Sequence, residues 1–247
     1  MRYFIELSYY GGAYHGWQNQ PNAISVQEVV ENALSTLLKA PIAVHGAGRT
    51  DTGVHAKQMM AHFDTDADLD DEALTYRLNA FLPKDIVIHK IFEVNAEAHA
   101  RFDAISRTYI YRISLKKNAF TFDSAYYVKT KLDQQKMHQA TLILLNHRNF
   151  KCFSRSNSDV KTYNCDIMKA EWKMIDDEFV FTIKADRFLR NMVRAIVGTL
   201  LEIGQGKMEV IELNAIIESK NRSQAGPSAP AHGLYLMEID YPNTIKK

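Results

Sequence analysis

Gly48-Arg49-Thr50-Asp51-Thr52-Gly53 puts a carboxylate two positions from a guanidinium inside a glycine-flanked stretch. An aspartate so placed can serve as a base or a nucleophile, and a neighbouring arginine can meet an anionic substrate. Gly46, Gly48 and Gly53 are read as positions where the backbone turns in ways other residues resist. The plain alternative is a turn closed by Asp and Thr hydrogen bonds, with no chemistry in it. No lysine follows the glycines, which excludes a Walker loop, and no second acid accompanies Asp51 as a glycosidase requires. His45, Asp51, His55, His62 and Asp64 are capable metal ligands, but their spacings fit no familiar zinc pattern. They are read as ordinary polar surface, and no metal is expected.

Tyr109 and Tyr111 are two apart on a strand and so share a face. Ile113 and Leu115 continue that face, so Tyr111 is read as core, while Tyr109, nearer the strand start, stays open as a ring for a base. Arg187, Arg190 and Arg194 follow helical spacing and are expected on a single stripe, either as a solvated edge or as a clamp for phosphate or carboxylate. Lys116, Lys117, Lys129 and Lys131 add candidate backbone contacts. Arg101, in His99-Ala100-Arg101-Phe102-Asp103, can reach a phosphate or an acidic neighbour.

The elements that must position these residues read clearly. Tyr3, Ile5, Leu7 and Tyr9 alternate along a strand that ends at Gly11-Gly12. Ser25 and Glu28 have capping-box spacing before an apolar stripe from Val26 to Leu38, stopped by Pro41. Strands over 42–47, 57–63 and 86–94 and a helix over 69–80 complete the order β-α-β-β-α-β. The order recurs from Arg107: strands over 107–115, 166–175, 178–185 and 234–241, with a helix over 133–146 and two helical segments, 188–203 and 208–219. The fold class is therefore α+β, two ferredoxin-like halves with antiparallel sheets. Residues 1–105 form the half carrying the Asp51 loop, and 106–247 the half with an extra helix. Such sheets also serve RNA-recognition modules, but the aromatic signature of those modules is absent.

Composition narrows the classes. Apolar residues are 46% and charged residues 24% of the 247, the balance of a globular chain rather than a disordered one. Cys152 and Cys165 are too few for a disulfide framework, and Met1-Arg2 runs directly into strand-like sequence, so a cytoplasmic location is expected. No apolar run approaches the roughly 20 residues of a spanning helix. Net charge is only +1, so binding of a nucleic acid must rest on a local basic surface.

With these motifs in hand, the segment around Asp51 resembles the signature of the TruA family of transfer-RNA pseudouridine synthases. The likeness runs along nearly the whole chain: Gly16-Trp17-Gln18, Ser25-Val26-Gln27-Glu28, Asn79-Ala80-Phe81-Leu82-Pro83, His99-Ala100-Arg101-Phe102, Arg107-Thr108-Tyr109-Ile110-Tyr111, Phe188 to Arg194 with Gly198, and Ala229 to Leu234. The resemblance implies isomerisation of uridine at positions 38, 39 and 40 of the anticodon stem-loop, by a homodimer that needs no cofactor. It implies that Asp51 is the catalytic aspartate, Arg49 the arginine linked to base flipping, Tyr109 the tyrosine packed on the target base, and Arg194 the arginine paired with the aspartate. Arg101 and Arg190 join Arg49 and Tyr109 as substrate-binding candidates. Thr52 stands where the family commonly has Ala, Leu189-Arg190 lie in a variable stretch, and Asn164 falls where an Arg is common.

The implied reaction breaks the bond from N1 of uracil to C1′ of the ribose and remakes it from C5. Asp51 has three routes: addition to C6, attack on C1′, or removal of a proton from C2′. An arginine beside it favours the ionised carboxylate, and the detached base must be shielded from water. Two other classes compete: an RNA-binding protein of the same fold without catalysis, and a hydrolase of free nucleosides.

Overall fold

Alternation carries over directly into the first strand, β1 (Arg2–Tyr9), whose Tyr3, Ile5, Leu7 and Tyr9 are all buried. The computed structural model describes residues 1–155 and 160–246, which form an α+β fold in two units. One runs from Met1 to Ser106 and includes the segment beginning at Tyr235; the other is Arg107–Leu234. In the first, β1 lies between β3 (His55–Asp64) and β4 (Ile86–Val94), antiparallel to both, with Ile5 opposite Ala61 and Ile91.

Helix α1 (Val26–Leu38) begins where Ser25 Oγ accepts the Glu28 N–H at 3.1 Å. It ends at Lys39, in the left-handed region at φ 55°, ahead of Pro41. Asp70 caps α2 (Asp71–Phe81) by accepting the Ala73 N–H at 3.0 Å. These caps supply partners for N–H groups that a helix start leaves orphaned.

Only His45–Gly46 of the strand expected over 42–47 pairs with β3, as β2. The cause is competition from α1. Ile42 N–H donates to Ser35 Oγ (2.9 Å) and Val44 N–H to the Glu31 carboxylate (2.8 Å), while the Val44 carbonyl accepts from Gln27 Nε2 (2.9 Å). Backbone groups satisfied by helix side chains have no need of a ladder. The other end of β3 pairs with the last strand, β9 (Leu234–Asp240), which runs parallel to it with His55 opposite Tyr235 and Ala56 opposite Leu236.

In the second unit β8 (Glu178–Ala185) lies between β5 (Ser106–Ser114) and β7 (Ile167–Ile175), antiparallel to both, with Phe181 opposite Tyr111 and Trp172. A two-residue strand, β6 (Tyr126–Tyr127), joins β5 in parallel; so short an element leaves no period in the sequence. Trp172 stacks on Phe179 at 4.4 Å between centroids and donates its Nε1–H to Thr141 on α3 (Gln134–Leu144) at 3.0 Å. Helices α4 (Met192–Gly204) and α5 (Glu212–Ser219) follow.

The helix expected over 188–203 starts four residues late. Asn191 sits at φ 67°, a left-handed conformation that no α-helix interior accommodates. Arg187, Arg190 and Arg194 therefore do not share a helical stripe, and of the three Arg194 alone stands on α4.

The β7–β8 hairpin turns through Asp176 and Asp177, both at positive φ (46° and 65°), the geometry for which Asn-Gly is preferred. Replacing the pair with Asn-Gly is expected to stabilise the fold by about 1 kcal/mol, the scale of the left-handed penalty relieved. A raised urea midpoint at unchanged slope is the measurement.

Candidate active site

The Asp51 loop is fixed from several directions by residues distant in sequence. Tyr9, the last residue of β1, and Thr50 share a hydroxyl–hydroxyl hydrogen bond of 2.8 Å. The Thr50 carbonyl accepts the Trp17 N–H at 3.3 Å. Gly16, at φ 87°, lies so close that a Cβ there would stand 2.3 Å from the same carbonyl oxygen. The Asp51 carbonyl accepts the Val54 N–H (3.1 Å), closing a four-residue turn in which Gly53 takes φ 80° and donates its N–H to Tyr14 (3.3 Å). Tyr14 is held in turn by a 2.7 Å bond to Asp85, and burial pushes its phenol well above the ordinary range.

Beyond the turn, His55 is buried between the rings of Tyr10 (4.1 Å) and Tyr235 (4.6 Å), with Nδ1 accepting the Gly11 N–H at 2.9 Å. Asp51 is left half-buried and Arg49 exposed. Of the three glycines singled out in the sequence, Gly53 alone has positive φ, Gly46 is packed against the Trp17 indole, and Gly48 is under neither constraint. A carboxylate on a loop held this way can act as a fixed base or nucleophile.

Arg49 and Arg101 come together in the first unit, where both line a cavity of about 220 Å³ with Gln18, His45, His99 and Phe102. A run of imidazoles lies alongside: His45 to His62 at 5.0 Å and His62 to His99 at 4.5 Å between centroids. His62 and His99 each use Nδ1 as an acceptor, from the N–H groups of Ala100 (3.2 Å) and Arg101 (3.1 Å). Burial foremost, then the neighbouring His99, Arg2 and His45, drives the His62 pKa down to about 4; burial also lowers that of His99. The reading of His55 and His62 as polar surface is thus corrected: they are 1% and 2% exposed, because β3 turns them inward. Among the described residues no three His, Cys, Asp or Glu side chains converge as a metal-binding group.

The second unit holds the other candidates. Tyr111 is fully buried and donates its hydroxyl to the Pro230 carbonyl at 2.7 Å, while Tyr109 is half-buried and stands edge-on to Phe188 at 5.1 Å. Arg194 Nε donates to the Ala229 carbonyl (2.7 Å), and Ala229 N–H returns to the Arg194 carbonyl (2.9 Å), so its side chain leaves α4 in a defined direction. Arg190 is exposed, with its carbonyl accepting the Arg155 N–H. Thr52 is exposed at its turn, and Asn164 forms a bridge with Asn149. Sequence reading missed Tyr9, Gly16 and Tyr14 as supports of the loop and His99 and Phe102 as part of the cavity.

A family model described as tRNA pseudouridine synthase matches residues 7–103 and 144–242. The chain is 52% identical to the tRNA pseudouridine synthase A of Bacteroides fragilis over 246 residues, covering 99% of this chain and 98% of that one. It is 51% identical to the protein of the same name from Porphyromonas gingivalis, with 99% and 98% covered. It is 38% identical to that of Bacillus pumilus, with 98% and 100% covered.

The low pKa of His62 makes stability depend on pH. The unfolded imidazole takes its proton near 6.5 and the folded one resists until about 4, so the contribution is complete above 6.5 and is lost as pH falls through that window. His45, His99, Arg2 and Asp64 surround it. His62→Gln, which keeps an acceptor for the Ala100 N–H, is expected to flatten the dependence of urea midpoint on pH between 7 and 4.

Proposed function

The chain belongs to the tRNA pseudouridine synthase family, and from that membership we propose that it isomerises uridine 38, 39 and 40 in the anticodon stem-loop, with Asp51 as the catalytic carboxylate. As a family member it is an isomerase acting on tRNA. The observation that carries the assignment of Asp51 is the set of bonds on its loop: the Tyr9–Thr50 hydroxyl pair, the Gly16 approach and the Gly53 turn. A reacting carboxylate needs support of this kind, because misplacement by an ångström costs orders of magnitude in rate.

The reaction is redox-neutral: the N1–C1′ bond breaks, C5–C1′ forms, C5 gives up its proton and N1 gains one. Addition to C6, attack on C1′ and removal of the C2′ proton all use the same ionised oxygen of Asp51. The uridine leaves its stack to reach it, and Arg49, exposed on the same loop, takes the vacated place. Tyr109 packs on the extruded base, and Arg194, directed by Ala229, serves as the third catalytic residue. Arg101 and Arg190 bind substrate. The enzyme works as a homodimer in the cytoplasm.

Release of tritium from tRNA labelled at C5 of uridine tests the reading. The wild-type protein is expected to release it, and Asp51→Asn to lose roughly 10³-fold or more of the rate, the scale for removing an essential reacting group, while binding tRNA unchanged. Equal release by the variant would remove Asp51 from the mechanism. Binding without release by either protein would point to an RNA-binding protein, and formation of free uracil and ribose from uridine, with the C5 tritium retained on the uracil, to a hydrolase. Affinity for tRNA is expected to fall steeply between 50 and 200 mM salt, as phosphate contacts require.

A further inference from the structure

The cavity beside the Asp51 loop has a composition that the family assignment leaves unexplained. Arg49, Arg101, His45 and His99 line it, and among its lining residues there is no carboxylate. Phe102 stands at its edge 73% exposed, its ring 4.3 Å from that of His99 and 5.8 Å from the Arg101 guanidinium. An apolar ring kept in water beside a guanidinium is the pair on which unpaired bases stack.

Resting on the reading of the chain as an enzyme of RNA, we propose that this cavity is a subsite for a nucleotide neighbouring the reacting uridine: its phosphodiester sits against Arg101 and His99, and its base stacks on Phe102. Size decides how the nucleotide divides. About 220 Å³ falls below the roughly 300–1,000 Å³ of a pocket that engulfs a drug-sized ligand. It holds a phosphate and part of a ribose, and the base lies outside, on the exposed ring.

The imidazole contributes as a donor rather than as a cation. His99 Nδ1 accepts the Arg101 N–H, so in the neutral ring the proton is on Nε2, which is the atom able to donate to a phosphate oxygen. The same bond ties the Arg101 backbone to the ring and fixes the spacing of the two groups. Among the described residues no ion pair engages Arg49, which lines the same cavity and is thereby left for the vacated stack. The subsite sets the register of the strand and Arg49 enters it.

Binding of fluorescein-labelled tRNA to Phe102→Ala, Arg101→Ala and Arg101→Lys, measured against salt, tests this directly. Both side chains are replaced at exposed positions, and an unchanged thermal midpoint confirms folding. Phe102→Ala is expected to weaken binding roughly 5- to 150-fold, the range for losing one stacked base, and to raise KM for tritium release more than it lowers kcat. Arg101→Ala is expected to reduce the slope of log affinity against log salt by about one, and Arg101→Lys to restore it. Wild-type affinity and slope in both alanine variants would overturn the subsite. Because binding is read separately from tritium release, a wild-type protein that binds but releases nothing refutes the proposed reaction and not the subsite.

Discussion

The buried hydroxyl pair of Tyr9 and Thr50 is the constraint from which the rest of the candidate site is built. In free energy it is an ordinary hydrogen bond, about 1 kcal/mol; its importance is positional. It joins the end of β1 to the residue preceding Asp51, and the opposite side of Thr50 is closed by Gly16 and the Trp17 N–H. Those two residues also serve α1, because the Gly16 and Trp17 carbonyls accept the Val26 and Gln27 N–H groups at 3.2 and 3.0 Å. Orphan donors of the helix start are thereby satisfied by the segment that presses on the Asp51 loop. A strand, a helix and the loop carrying Asp51 share one set of bonds, so the carboxylate is placed by the core of the first unit.

Elements with a strong period were legible in the sequence because burial imposes the period. β1, α1, β4, β7 and β8 lie where alternation or the helical stripe puts them. Tyr111 was legible as core for the same reason, Ile113 continuing its face. Illegible elements are those decided by competition. Whether Val44 joins β3 or Glu31 is a choice between two sets of hydrogen bonds that hydrophobicity does not record. The late start of α4 is set by the backbone conformation of Asn191, and the arginine stripe read across it dissolves with that one angle.

The site shows the same division. Asp51 and Arg49 were visible as a pair in a glycine-flanked loop, and the family motifs named them. Their supports were not visible, because Tyr9, Gly16 and Tyr14 lie a strand and a helix away in sequence and reach the loop only through the β-α-β-β fold. Phe102 and His99 share the His99-Ala100-Arg101-Phe102 motif with Arg101, but exposure of the phenyl ring is a property of the fold alone. A net charge of +1 gave no sign of a polyanion partner. The cavity proposed as a nucleotide subsite places Arg49 and Arg101 where no carboxylate lines the wall, beside His99, whose pKa is lowered by burial.

The central claim, that a carboxylate positioned by the Tyr9–Thr50 pair performs uridine isomerisation in the anticodon arm, is tested most directly in cells. Pseudouridine would be mapped across all transfer RNAs in a strain lacking the protein and in the same strain carrying either the wild-type chain or Asp51→Asn at equal level. The account predicts that modification at positions 38, 39 and 40 is absent from the deletion, restored by the wild type and missing with Asp51→Asn. Restoration by the variant, or wild-type modification confined to other positions, would contradict it.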